Sequence, residues 1–165
     1  MDPSRRAFLR GAFLKGRDAD GKPAPLRPPW AVEDFTDRCT RCEACLDACP
    51  EKVLRRGDGG FPELDVRERG CTFCAACVEA CEPGALDTVR GIERRYRAVI
   101  GPTCLAKRAV TCRLCELACD DDAIGFALQR GGVATPLVDP GQCSGCGKCL
   151  NVCPSHAISL EERAG

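Results

Sequence analysis

Apolar residues in this chain recur in pairs at a fixed distance behind four cysteines. Val53-Leu54, Ala85-Leu86, Ala123-Ile124 and Ala157-Ile158 stand four and five positions after Cys49, Cys81, Cys119 and Cys153. Pairs so placed read as apolar contacts between whatever the cysteines hold and the strand that leaves it. Two links between the pairs are alike. Arg56-Gly57-Asp58-Gly59-Gly60-Phe61-Pro62-Glu63-Leu64-Asp65 resembles Arg130-Gly131-Gly132-Val133-Ala134-Thr135-Pro136-Leu137-Val138-Asp139. Glycines at the bend and alternation on the return predict short hairpins. Cys42 to Cys49 and Cys74 to Cys81 read as loop-to-helix turns, as do their counterparts in the second half. The expected class is α+β, with short hairpins and short helices. Upstream, Phe8, Leu9, Ala12 and Phe13 lie on one face of an amphipathic stub flanked by arginines. Pro23, Pro25, Pro28 and Pro29 forbid a helix after it and read as a linker ending near Trp30.

Composition makes the cysteines the dominant fact. There are 16 in 165 residues, while aromatic residues are only 5%. So little large apolar surface cannot build a big core, and either disulfides or metal must hold the fold together. No apolar run approaches the roughly 18 residues of a membrane span. His156 is the single histidine, which excludes a Rieske centre, since that needs two.

The cysteines fall into four groups. Cys39, Cys42, Cys45 and Cys49 recur 32 residues later as Cys71, Cys74, Cys77 and Cys81. Cys143, Cys146, Cys149 and Cys153 repeat the same C-x2-C-x2-C-x3-C spacing. Cys104, Cys112, Cys115 and Cys119 match it in the last three members, with five extra residues after the first. Cys42, Cys45 and Cys49 reappear 70 residues on, and Cys74, Cys77 and Cys81 reappear 72 on. The chain is a tandem duplication of a two-motif unit. Its expected organisation is a basic, Pro-rich segment and linker over 1–30 and two modules over 31–98 and 99–165.

This spacing is that of bacterial two-cluster ferredoxins. A C-x2-C-x2-C segment supplies three corners of one cubane, and the fourth cysteine, on the turn leading away, ligates the other cluster. Crossed ligation ties distant segments together without a large core. By that rule cluster I takes Cys39, Cys42, Cys45 and Cys81, and cluster II takes Cys71, Cys74, Cys77 and Cys49. Cluster III takes Cys104, Cys112, Cys115 and Cys153, and cluster IV takes Cys143, Cys146, Cys149 and Cys119. Cys104 is the weakest assignment, because its long gap, with Lys107 and Arg108, must loop out. Structural zinc draws paired ligands from separated knuckles and would waste this register. Disulfides would need an oxidising compartment and a working signal sequence. Four 4Fe-4S clusters therefore account for the pattern best.

Such clusters chiefly carry electrons, because the thiolates leave no open coordination position for substrate. No dinucleotide-binding glycine motif follows a strand, so no enzyme activity is expected. Lys plus Arg and Asp plus Glu are 24 each, which gives no basic footprint for nucleic acid. Sixteen thiolates around four doubly positive cores would leave the loaded chain about eight charges negative. His156 reads as an exposed turn residue beside cluster III. Asp120, Asp121 and Asp122 either form a solvated acidic turn or disfavour adding an electron to cluster IV.

Ser4-Arg5-Arg6-Ala7-Phe8-Leu9-Arg10 looks like a twin-arginine export consensus, but Lys15-Gly16-Arg17-Asp18 replaces the apolar stretch that export needs. The start, the three regular groups and the stretched third group together resemble the NapF-type ferredoxins, accessory proteins of the periplasmic nitrate reductase system. The resemblance covers nearly the full length. It implies a cytoplasmic polyferredoxin with four 4Fe-4S clusters. It implies, as partner, the molybdenum-containing catalytic subunit of that reductase before export. The implied role is maturation of that subunit, by cluster supply or reduction. The alternative is an electron-transfer subunit of a membrane-associated or soluble redox complex, with an electron donor protein as a further partner. Arg5, Arg6, Phe8, Leu9, Arg10 and Phe13 are the candidate partner-docking residues. The missing proline after Cys119 and the displaced Pro83 depart from the general motif without preventing ligation.

Overall fold

A cysteine at every third or fourth position leaves no room for a long helix. In the computed structural model, which describes residues 25–91, 94–129 and 132–163, the helices are α1 (Phe35–Arg38), α2 (Ala44–Ala48), α3 (Ala76–Glu79), α4 (Leu114–Leu117) and α5 (Lys148–Asn151). Helices α2, α3 and α5 each begin behind a left-handed residue: Glu43, Ala75 and Gly147. The last four helices all run into the final cysteine of their group. The amides of Cys49, Cys81, Cys119 and Cys153 bond to the carbonyl three residues back, at 2.9–3.4 Å. That tightened last turn is a common helix end.

A second turn follows at once. Lys52, Gly84, Asp122 and His156 all take a positive φ, and the amide of each donates to the carbonyl of the cysteine three positions earlier, at 3.0–3.2 Å. The turn reverses the chain and delivers the apolar pairs inward. All eight residues of those pairs are buried. At about 1.5–3 kcal/mol for each fully buried Val, Leu or Ile, they are the main apolar anchors of the four turns.

Both expected hairpins form. Strand β1 (Leu54–Arg56) pairs antiparallel with β2 (Pro62–Leu64), Leu54 opposite Leu64. Strand β4 (Ile124–Ala127) pairs antiparallel with β5 (Thr135–Val138), Ile124 opposite Val138. A third antiparallel pair joins β3 (Tyr96–Ile100) to β6 (Ile158–Glu162), Ile100 opposite Ile158. Its counterpart in the first half shrinks to the single bridge Ala31–Leu86.

Two boundaries therefore move. Residue 98, the expected end of the first module, lies inside β3, and all of β3 pairs with β6. By its hydrogen bonds the strand belongs to the second half, although it starts inside the arginine-rich stretch Arg90 to Arg97. The linker expected up to residue 30 also stops earlier. Pro28 and Trp30 are buried, Trp30 packs edge-on to Phe73 at 5.9 Å, and the Leu64 amide bonds to the Leu26 carbonyl at 2.8 Å. Proline forbids a helix there but suits an extended segment laid on a core.

The halves are pinned by Arg95, which is 8% exposed. Its guanidinium donates to Glu162 Oε1 and to the Ala31 carbonyl of the first half, both at 2.8 Å. The Tyr96 hydroxyl donates to the Arg27 carbonyl at 3.2 Å. Arg95→Ala strands a carbonyl and leaves a gap, so we expect a loss of about 1–3 kcal/mol in thermal or denaturant melts of the loaded protein. Arg97→Ala on the same strand makes the comparison.

Candidate metal centres

Four recesses, each of about 310–340 Å3, gather the cysteines. The first brings Cys39, Cys42 and Cys45 together with Cys81, under Phe35, Ala85 and Leu86. The second brings Cys71, Cys74 and Cys77 together with Cys49, under Trp30, Val53 and Leu54. Cys104, Cys112 and Cys115 meet Cys153 beside Leu114, Phe126 and Ile158. Cys143, Cys146 and Cys149 meet Cys119 beside Ala98, Ile124 and Leu160. These recesses are called sites I, II, III and IV in that order. In each, three cysteines come from one group and the fourth from its neighbour, because the turn after each short helix carries the last cysteine away from its own loop.

The loops themselves show how a short sequence surrounds a site with amides. In groups one, two and four the residue two after the first cysteine and the residue one after the second are left-handed. These are Arg41 and Glu43, Phe73 and Ala75, and Gly145 and Gly147. Left-handed residues alternating along a chain turn successive N–H groups to one side, forming an anion-binding concavity. Amides approach sulfur in all four sites. Leu86 N–H reaches Cys81 in site I, and Phe73 N–H reaches Cys71 in site II, both at 3.4 Å. Ala157 N–H reaches Cys153 in site III at 3.3 Å. In site IV Ala123 N–H reaches Cys119 at 3.3 Å and Ala98 N–H reaches Cys143 at 3.4 Å. Such donors favour thiolate and added electron charge.

Group three is built differently. Arg113 holds φ −134° where the regular loops turn left-handed. The inserted residues form a 3-10 turn, Ala106–Arg108, closed by Ala109 at φ 62°. Ala106 is buried, and Lys107 donates to the Ile100 carbonyl. The insert, expected to loop out, is thus packed down, and Cys104 is delivered to site III.

The donor set in each recess is four thiols, the chemistry that holds iron-sulfur clusters. Several of the more buried thiols resist ionisation. Burial pushes Cys45 and Cys71 up to about 11 and Cys77 and Cys149 up to about 12. Metal binding must displace those protons.

The charged residues near site IV are engaged. Asp120 pairs with Lys148, and the Ser144 hydroxyl donates to Asp121, which lines the recess. Asp121 is thus tied to the site, while Asp120 and Asp122 stay exposed to solvent. His156 is exposed and fills the same left-handed turn position as Lys52, Gly84 and Asp122. The candidate docking residues Arg5, Arg6, Phe8, Leu9, Arg10 and Phe13 lie outside the described residues.

The comparisons with known proteins agree with this architecture. A family model described as "4Fe-4S dicluster domain" matches residues 38–85 and again 108–163. The second match begins after Cys104. The ferredoxin-type protein NapF of Haemophilus influenzae is 43% identical over 164 residues, covering 96% of this chain and 93% of that protein. NapF of Escherichia coli K12 is 36% identical over 163 residues, covering 98% and 96%. The methylamine utilization ferredoxin-type protein MauM of Methylorubrum extorquens is 34% identical over 148 residues, covering 78% and 67%. Duplicated dicluster matches and near-full-length likeness under one name leave one assignment: the chain belongs to the NapF-type ferredoxins, non-catalytic iron-sulfur accessory and electron-carrier proteins.

Proposed function

We propose that the chain carries four 4Fe-4S clusters and serves, in the cytoplasm, the maturation of the molybdenum-containing catalytic subunit of periplasmic nitrate reductase before its export. One observation carries the cluster reading: each of four similar recesses is ringed by four cysteines, three from one group and one from its neighbour. That grouping supports the crossed ligand sets given above for clusters I to IV. A bound cluster takes up and releases single electrons. The protein's own part is to hold sulfur in place, to point amides at it and to set solvent access. Cys42 and Cys74 are exposed, so sites I and II each present a ligand edge to a partner.

The identity of the partner rests on the family. No helix among the described residues is long and apolar enough to cross a membrane. The second reading, an electron-transfer subunit serving the same or another redox complex with an electron donor protein, uses the same sites. The two separate on the state of the reductase subunit when this protein is missing. Assembly expects an inactive, cluster-poor subunit. A fully loaded but unreduced subunit overturns assembly in favour of electron transfer.

Docking falls to Arg5, Arg6, Phe8, Leu9, Arg10 and Phe13. Residues 1–17 carry a net charge of +4 and no cysteine, so ligation does not explain them. Deleting residues 2–17 is expected to leave iron content unchanged and to weaken capture of the reductase subunit. Reversing Arg5, Arg6 and Arg10 should do the same, more strongly at low salt, where exposed charges are less screened. Equal loss of iron would make the segment structural instead.

A further inference from the structure

Sites II and IV meet across the seam between the halves. The Cys71 amide donates to the Cys146 carbonyl at 2.8 Å. Cys71 lines site II and Cys146 lines site IV. From one sulfur to the other the path runs through Cβ, Cα and N–H of Cys71, one hydrogen bond, and then the carbonyl, Cα and Cβ of Cys146. No solvent gap or side-chain tip intervenes.

The surrounding residues hold this contact close. A side chain on Gly70 would put its Cβ 2.4 Å from Lys148 Cγ and 3.1 Å from the Cys146 carbonyl oxygen. One on Gly147 would lie 2.3 Å from Cγ2 of the buried Val66. Gly147 is not glycine for its backbone angle alone, because Glu43 and Ala75 adopt the same left-handed conformation at the equivalent positions. The absent side chain is what lets the halves touch. Asn151 also donates across the seam to the Glu68 carbonyl. Among the described residues, no hydrogen bond joins a lining residue of site I or site III to the opposite half.

We propose that Gly70-Cys71 and Cys146-Gly147 form a bridge that makes sites II and IV the adjacent pair across the halves, with sites I and III at the outer ends. The inference rests on the four-cluster reading. One electron crossing the bridge leaves one site oxidised by one unit and the other reduced by one, with no bond made or broken. Sites I and III are then the ends of the row, while the exposed Cys42 and Cys74 leave sites I and II each open to a partner.

The test is electron paramagnetic resonance of the fully reduced, full-length protein, with iron measured on the same samples. A chain keeping only sites II and IV, through Cys42→Ser with Cys112→Ser, is expected to give a spectrum broadened by interaction between its two centres. A chain keeping only sites I and III, through Cys74→Ser with Cys146→Ser, should give the plain sum of two isolated signals. Adding Gly70→Val to the first chain should remove the broadening at unchanged iron. Isolated signals from the first chain, or interacting ones from the second, overturn the bridge. Should the double variants fail to hold iron, Gly70→Val alone in the four-site chain serves. Part of the broadening is then expected to vanish, and an unchanged spectrum overturns the bridge. If the unmodified chain binds no clusters at all, iron analysis shows that the four-cluster reading itself has failed, and the bridge falls with it.

Discussion

Cys49→Ser is expected to empty site II and spare site I, although Cys49 belongs in sequence to the group that builds site I. Iron should fall from about 16 to about 12 atoms per chain, at four per cluster. The physical reason is the tight turn after α2. The Cys49 amide closes the helix onto Leu46, and Lys52 then reverses the chain, so the Cys49 side chain enters the recess of Cys71, Cys74 and Cys77. Cys81→Ser should empty site I by the same rule, and Cys153→Ser should empty site III. Spectroscopy of the single variants checks this. If Cys49→Ser disturbs only the cluster of Cys39, Cys42 and Cys45, crossed ligation is wrong.

Stripping the clusters with a chelator, or by exposure to air, should unfold the chain rather than yield a stable empty protein. Much of the interior is the recess lining itself. An empty site leaves its apolar lining without packing partners on one side, and a whole-domain stability is only roughly 5–15 kcal/mol. Water entering the emptied recesses would wet the apolar pairs that anchor the four turns. Loss of far-UV ellipticity in step with iron loss, followed by aggregation or mixed disulfides, is the expected course. An iron-free chain that keeps its ellipticity and its cooperative melt would show that the apolar contacts suffice without metal.

What the sequence made legible was whatever cysteine spacing dictates. The four groups, the hairpins after groups one and three, and the apolar pairs behind each last cysteine all follow from a repeat that can be counted. The left-handed turn after the fourth cysteine left little trace, because Lys52, Gly84, Asp122 and His156 share no chemistry, only a backbone angle. Strand β3 was hidden in a basic run. Its alternation, with Tyr96, Ala98 and Ile100 buried, is readable, but the cluster of arginines before it draws attention to charge. The fate of residues 25–30 was masked by proline, which marks both linkers and extended segments packed on a core. The seam depends on two close approaches, Gly70 on Lys148 and Gly147 on Val66. Long-range contacts of that kind have no local pattern.

The most direct test of the central claim is the iron and acid-labile sulfide content of anaerobically purified protein, measured against protein concentration from amino-acid analysis. Four 4Fe-4S clusters require about 16 of each per chain. About 12 would single out site III, where Cys104 arrives by the packed insert rather than by the regular loop. Stoichiometric zinc in place of iron and sulfide would contradict the account.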